Sequence, residues 1–324
     1  MRKCLVIVVV LILAVGTLAA QSKKSGSCDR ACLEGTVNQY LAAMVMHDAS
    51  KAPFAGTFKF TENTVKLPPT EGLWFTATGL GDYKFYISDP QAGQVGYVGI
   101  VKEHDSPVLL SLRLKVVNRQ ITEAESIVVR NVSEKSLVNL KNPPPAFSEP
   151  LAPSERVSRQ ELIRISNLYF DGIEKTDGDI VPWDPECYRL ENGMLRASPS
   201  PANAPAAPAA TPADGPSAIP SGSTCRDGLS SGILKTIHNI RPRRVVVVDE
   251  ERGTTWGVYN FNHRGVLTVQ MRDGSIRNSY ERRPNSMPIS EMFKIKNGRI
   301  RDTFAVGVQV PYGLGDGWAG PLFK

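Results

Sequence analysis

Two stretches decide how this chain is to be read: Lys115-Val116-Val117-Asn118-Arg119-Gln120-Ile121-Thr122-Glu123 and Lys294-Ile295-Lys296-Asn297-Gly298-Arg299-Ile300-Arg301-Asp302. In each, a short turn opened by Asn joins two apolar-rich runs, which predicts a hairpin between long strands. The stretches lie 179 residues apart, and the likeness continues outward from them. At a separation of 129, Tyr40 matches Tyr169, Asp48 matches Asp177, Pro53 matches Pro182, Phe54 matches Trp183, and Glu62-Asn63 matches Glu191-Asn192. Near 160, Ile87-Ser88-Asp89 with Gly93 matches Val248-Asp249 with Gly253. The order is kept while the separation grows, as insertions in a second copy require. The chain is a tandem repeat.

Each copy opens with an amphipathic helix. Leu33, Val37, Tyr40, Leu41, Met44 and Val45 form the apolar stripe of the first, and Leu162, Ile165, Leu168, Tyr169 and Ile173 that of the second. Asp48 and Asp177 then stand where a side-chain oxygen can cap a short second helix. Strands are expected at Thr57 to Lys66 and Glu186 to Glu191, with a helical or irregular stretch after them that is clearest over Asp227 to Ile240. Four strands close each copy: Tyr83–Ser88, Gln94–Val101, Val108–Val117 and Gln120–Arg130, then Arg244–Val248, Thr254–Asn262, Ile289–Lys296 and Arg299–Val310.

Around the repeats the expected layout is a signal peptide over 1–20, a first domain over 27–132, a Pro-rich linker over 133–153 and a second domain over 154–318. The second domain carries a Pro/Ala-rich insertion over 196–224, which cannot bury a face, and a hairpin insertion over 264–287 turning at Asp273-Gly274. Arg2 and Lys3, the apolar run Leu5 to Val15 and the small residues around Ala19 and Ala20 are the pattern of a cleaved leader. The apolar run is shorter than the ~20 residues of a membrane span. The chain is therefore expected to be secreted or periplasmic, with no membrane association after cleavage. Its formal net charge of +6 is too mild to imply a nucleic-acid partner. The cluster Arg241, Arg243 and Arg244 reads as a solvated strand entrance rather than a phosphate site.

Four cysteines follow the leader, Cys28, Cys32, Cys187 and Cys225, and four allow three pairings. Cys187 with Cys225 is expected, because the two flank the Pro/Ala-rich insertion and would close it into a loop. Cys28 and Cys32 sit one turn apart at a helix start and could pair only if that turn is irregular. The four histidines have no ligand spacing to a cysteine, so no metal is expected.

A long helix, a short second helix and a bent sheet ending in two long hairpin-linked strands resemble the nuclear transport factor 2-like superfamily, and within it the SnoaL-like branch. The runs Cys32-Leu33-Glu34-Gly35, Tyr40-Leu41, His47-Asp48, Phe60-Thr61-Glu62-Asn63, Gly72-Leu73-Trp74, Asp249-Glu250-Glu251-Arg252-Gly253, Pro311-Tyr312-Gly313 and Gly317-Trp318 look closer still to a tandem SnoaL-like family of unknown function. The resemblance implies an α+β fold of two tandem cones, each an N-terminal helix packed in a curved antiparallel sheet with a pocket at its open end. It implies an exported protein that binds a small, partly apolar molecule without metal or cofactor. The alternatives are an isomerase, cyclase or dehydratase acting by proton transfer, and a non-catalytic interaction scaffold in which the two copies form an intramolecular pseudo-dimer.

In the steroid isomerases of that superfamily an aspartate on the first strand moves a proton. Glu62-Asn63 stands in its place here, so Glu62 inherits the candidate role of base, with His47 as a second candidate. Glu191 and Asn192 hold the same places in the second copy. Glu123 and Asp302 coincide between copies, and strand parity puts them on the face of Ile121 and Ile127, or of Ile300 and Phe304, as pocket groups or at a wet strand end. Candidate ligand-binding residues are Tyr40, Asn63, Trp74, Tyr97, Tyr169, Glu191, Asn192, Trp256 and His263, with Tyr259 a further aromatic for the lining or the core.

Overall fold

The computed structural model describes residues 27–141, 145–199 and 223–318. The expected leader and most of the Pro/Ala-rich insertion lie outside the described residues. In the first unit, α1 (Arg30–Val45) begins where Asp29 accepts a hydrogen bond from the Cys32 amide at 3.0 Å. Its expected stripe of Leu33, Val37, Tyr40, Leu41 and Met44 is buried. Asp48 caps a single 3-10 turn (Ala49–Lys51) through the Ser50 amide, as Asp177 caps Gly178–Ile180 in the second unit. The chain continues as β1 (Phe54–Glu62), β2 (Val65–Lys66), α2 (Leu73–Thr76), β3 (Ala77–Asp89), β4 (Gln94–Glu103), β5 (Ser106–Val117) and β6 (Gln120–Val129).

Two short helices, α3 (Glu134–Asn139) and α4 (Pro145–Ser148), lead to the second unit. There α5 (Arg159–Lys175) is followed by β7 (Trp183–Glu191), β8 (Met194–Ala197), α6 (Cys225–Ser230), β9 (Asn239–Asp249) and β10 (Thr254–His263). The inserted hairpin is β11 (Thr268–Gln270) and β12 (Ile276–Asn278), and β13 (Asn285–Lys296), β14 (Arg299–Gly307) and β15 (Val310–Pro311) complete the unit. The sheet orders are β2-β1-β6-β5-β4-β3 and β8-β7-β14-β13-β10-β9. These are two copies of one α+β topology.

Three expectations are corrected. The sheets are mixed rather than antiparallel, because β1 runs parallel to β6 and β7 parallel to β14. Parity along a strand says which face a residue takes, not which strand lies beside it, so this pairing was hidden. Secondly, Glu123 and Asp302 do not share a face with Ile121 and Ile300. The pairing jumps from Val116–Ile121 to Lys115–Glu123, and from Ile295–Ile300 to Lys294–Asp302, so Thr122 and Arg301 are extra residues in matching bulges. A bulge flips the alternation beyond it, which sends Ile121 and Ile300 into the cones while Ile127 and Phe304 face the other way. Thirdly, Cys28 is bridged to Cys32 beside a regular helix. Cys28 lies one residue before the Asp29 cap, in extended chain that can turn its sulfur back over the first turn. Cys187 is bridged to Cys225 as expected.

The turns follow the sequence closely. Asn118-Arg119 and Asn297-Gly298 all have positive φ, the geometry of a two-residue hairpin turn that matches strand twist. Each unit has its own apolar core inside the curve of its sheet. A third core lies between the sheets, where Phe85, Val98 and Ile127 meet Trp256, Met292 and Phe304, with Leu140 and Phe147 of the connecting segment packed into it. Trp256 donates to Ser111 Oγ at 3.1 Å and covers Gly96, where an added Cβ would come within 2.8 Å of the indole. Matching contacts flank this core. Arg30, at the start of α1, donates to Asp249 at 2.5 and 3.0 Å, and Arg159, at the start of α5, donates to Asp89 at 2.6 Å. Trp318 crosses to the first unit and donates to Thr61 Oγ1 at 3.0 Å.

Candidate functional site

The interior of the first cone is filled by its own side chains. Trp74 Nε1 donates to Tyr40 Oη at 2.8 Å, the two rings meet edge-on at 5.1 Å, and Phe54 and Phe58 pack beside them. Burial raises the Tyr40 hydroxyl far above its ordinary titration range. Tyr97 is buried in the same core with its ring over Gly99. Glu62 is engaged at both oxygens: Oε2 accepts from the Leu73 amide at 2.8 Å and Oε1 pairs with Arg130 at 3.0 Å. Gly72 makes that approach possible, since its φ is +67° and a Cβ there would fall 2.5 Å from Glu62 Oε2. His47 is exposed beyond the helix end, with Nδ1 2.7 Å from the Trp74 carbonyl.

Asn63 and Asn192 explain the repeated Glu-Asn pair. Both adopt positive φ at the turn after the first strand. Asn63 Oδ1 accepts from the Val128 amide at 2.8 Å and its Nδ2 donates to the Val128 carbonyl at 3.3 Å. Asn192 makes the same pair of bonds with Gly307, at 2.9 and 3.0 Å. The side-chain amide stands in for a missing strand residue and continues the ladder where the backbone turns away.

The second cone is different inside. Ile289, Glu291, Phe293 and Ile295 alternate onto the inner face of β13, so one carboxyl is set into an apolar row. Arg189 of β7 faces it, and Tyr169 of α5 and Tyr259 of β10 close the group. Glu291 is 1 % exposed and Arg189 is 7 % exposed. Arg189 meets Glu191 through Nη2 at 3.5 Å, while its Nε and Nη1 have no hydrogen-bond partner. Glu291 Oε1 and the hydroxyls of Tyr169 and Tyr259 are likewise unpartnered. Gly257 sits opposite Glu291 in the sheet, and the Tyr259 ring leans over it: a Cβ on Gly257 would lie 2.5 Å from Tyr259 Oη.

Burial pushes the Glu291 carboxyl up to about 7, opposed by Arg189 and by the nearby Tyr169 hydroxyl, and reinforced by the charge of Glu191. That hydroxyl is close enough to stabilise the carboxylate, though it makes no hydrogen bond of good geometry with it. Burial also raises the hydroxyls of Tyr169 and Tyr259 well above their ordinary range, so both remain proton donors at neutral pH. Desolvation lowers His263 to about 4, opposed by the nearby Asn285 side chain, which makes no hydrogen bond of good geometry with the ring; the residue is 1 % exposed and both ring nitrogens are left unpartnered.

A cavity of about 30 Å³ opens beside this group. Its apolar wall is Ile173, Leu234, Ile237, Phe261, Met287 and Ile289, and its polar wall is Arg189, Glu191, His263 and Tyr280. That volume holds a water or a very small group; a larger ligand would displace side chains.

Of the residues picked out from sequence, the structure brings Tyr169, Glu191 and His263 together here. Tyr40, Trp74 and Tyr97 are packed in the first core, and Trp256 lies on the opposite face of β10, between the sheets. Arg189, Glu291 and Tyr280 were missed. The signal for two of them was present, because the repeat aligns Arg189 with Phe60 and Glu291 with Leu112. A charge replacing an apolar residue at a matched inward position marks a unit that has acquired a polar interior. The Arg241, Arg243 and Arg244 cluster is ion-paired: with Glu174, with Asp171 and Glu174, and with Glu125 and Asp316. Among the described residues, no three His, Cys, Asp or Glu side chains are grouped to hold a metal ion. No helix of the described residues is long and apolar enough to cross a membrane.

A family model described as a domain of unknown function (DUF8021) matches residues 155–307, the second unit. No curated protein matches the chain. Among solved structures, AusH from Aspergillus nidulans is similar at 14% identity over 47% of this chain and 86% of its own, with a TM-score of 0.25, too low for any argument from likeness.

Proposed function

We propose that the protein binds a small, partly apolar molecule in the cone of its second unit, and that the first unit serves as its packed partner in an intramolecular pseudo-dimer. The observation that carries this reading is the concentration of unpartnered buried polar atoms beside the cavity, on Arg189, Tyr169, Tyr259, His263 and Glu291. Each such group costs about 1–3 kcal/mol when left unmet, more for a charged one, and a fold that keeps several together at one cavity is arranged to meet them with something bound. The filled core of the first unit supports giving it a structural role. The two disulfides suit an oxidising compartment, in keeping with export.

A thermal-shift screen of small, partly apolar molecules tests the reading, with hits repeated on Ile237→Trp, which fills the cavity. Saturable stabilisation that disappears in the variant is expected. No saturable ligand, or ligands indifferent to the substitution, would sink it.

A second reading, proton-transfer catalysis, is favoured by one observation. Glu291 titrates at about 7 beside the hydroxyls of Tyr169 and Tyr259, a pairing of base and donors suited to moving a proton next to a carbonyl. On this reading the base is Glu291, because Glu62 is held by Leu73 and Arg130 and His47 is outside the cone.

A further inference from the structure

We propose that the second cone takes a small carboxylate on the unmet donors of Arg189, and that its binding is accompanied by proton uptake at Glu291. The inference rests on the ligand-binding reading of this cone and specifies the class of ligand.

Arg189 is buried, lines the cavity and meets Glu191 through a single nitrogen, leaving Nε and Nη1 without an acceptor. A buried charge with unmet donors is a costly arrangement, and a planar guanidinium is matched by the two oxygens of a carboxylate. The apolar wall of Ile237, Phe261 and Met287 suits a carbon substituent behind those oxygens. A phosphate dianion fits poorly, because it would bring a second negative charge beside Glu191 and Glu291.

Proton uptake follows from what surrounds Glu291. Tyr169 faces it from α5, Arg189 and Glu191 from β7, and Tyr259 from β10, while its neighbour on β14 is Ala305. Tyr280, from the segment before β13, faces Arg189 and Glu191. Arg189 is therefore the cation that makes an ionised Glu291 tolerable. A ligand carboxylate on Arg189 withdraws that support and adds repulsion, so Glu291 takes a proton as the ligand enters. In the opposite direction, ionisation of Glu291 competes with the ligand. Carboxylate affinity should be level below about pH 7 and fall by up to about tenfold for each pH unit above it.

The experiment is calorimetric titration of the full chain with acetate and benzoate, with benzamide as the neutral counterpart. It is run in buffers of different ionisation enthalpy from about pH 6 to about pH 8.5. The proposal expects carboxylate binding at least tenfold tighter than benzamide. It also expects proton uptake that rises from near zero at the acid end towards one at the alkaline end. Glu291→Gln should bind without uptake and without pH dependence, and Arg189→Met should lose carboxylate binding. If Arg189→Met does not fold, Arg189→Lys decides, by weakening benzoate about tenfold or by leaving it unchanged, which overturns the proposal. Benzamide binding as well as benzoate, or uptake persisting in Glu291→Gln, overturns the anion site while the cone remains a binding site. No binding of any probe, together with a blank thermal-shift screen, removes both.

Discussion

Replacing Glu291 by Gln keeps the shape of a buried carboxyl and removes its titration, which makes the polar interior of the second cone measurable as stability. The group titrates at about 7 in the folded protein against an ordinary value of 4.5. At ~1.4 kcal/mol for each pH unit of that gap, holding Glu291 ionised costs the fold about 3 kcal/mol. The folded-state value is the raised one, so below about pH 4.5 both states carry the proton and the cost is absent. Between about pH 4.5 and 7 the unfolded chain releases the proton while the folded chain retains it, and stability falls as pH rises; above about pH 7 the full cost applies. Glu291→Gln should therefore match the wild type near pH 4.5 and exceed it by up to about 3 kcal/mol near pH 8. Urea unfolding of both proteins across that range, with disulfides intact, gives the difference directly, and titrations common to both cancel. A difference that stays constant with pH would show that Glu291 is hydrated or fully paired, and the description of the cone would be wrong.

His263 gives the opposite slope. Its folded value of about 4 lies below the ordinary 6.5, so its contribution is intact above about pH 6.5 and is lost as pH falls towards 4. His263→Gln should remove about 3 kcal/mol of that acid sensitivity in an acid-unfolding titration followed by fluorescence; an unchanged acid midpoint would refute it. Asn63→Ala and Asn192→Ala each break two bonds to a neighbouring strand at a positive-φ turn, and each should cost about 1–3 kcal/mol in urea unfolding. A loss of ligand binding with stability intact would return these residues to the site. Asp89→Asn and Asp249→Asn should destabilise by similar amounts, because the Arg159 and Arg30 contacts correspond. One large and one negligible loss would contradict that correspondence.

Most of the architecture was legible because the chain states it twice. The helix stripes, the Asp48 and Asp177 caps and the Asn-led turns each follow from local chemistry that a single sequence displays. The sheet order did not, since the parallel pairing of β1 with β6 joins segments that no local pattern relates. The Thr122 and Arg301 bulges reversed a parity argument that was sound up to the residue before them. Within the cone, Tyr169 and His263 were visible as residues of the right type on inward strands and helices. Arg189, read alone, is a charged residue near a strand end and looks solvent-facing; only its match to Phe60 in the first copy marks it as inward. Glu291 was within reach, as the odd residue in the row Ile289, Phe293 and Ile295. In the Glu-Asn repeat the two Asn side chains bridge a turn, while Glu191 lines the cavity of the second cone.

Gly96 and Trp256 occupy matching places in the two halves, and the indole of one lies in the gap left by the other. Had the halves remained identical, each would have met itself across this contact, glycine against glycine or indole against indole. The first combination leaves a hole and the second a collision, so two copies of one half fit here less well than the two unlike halves do. The difference at this one site thus suits each half to its unlike neighbour rather than to a copy of itself.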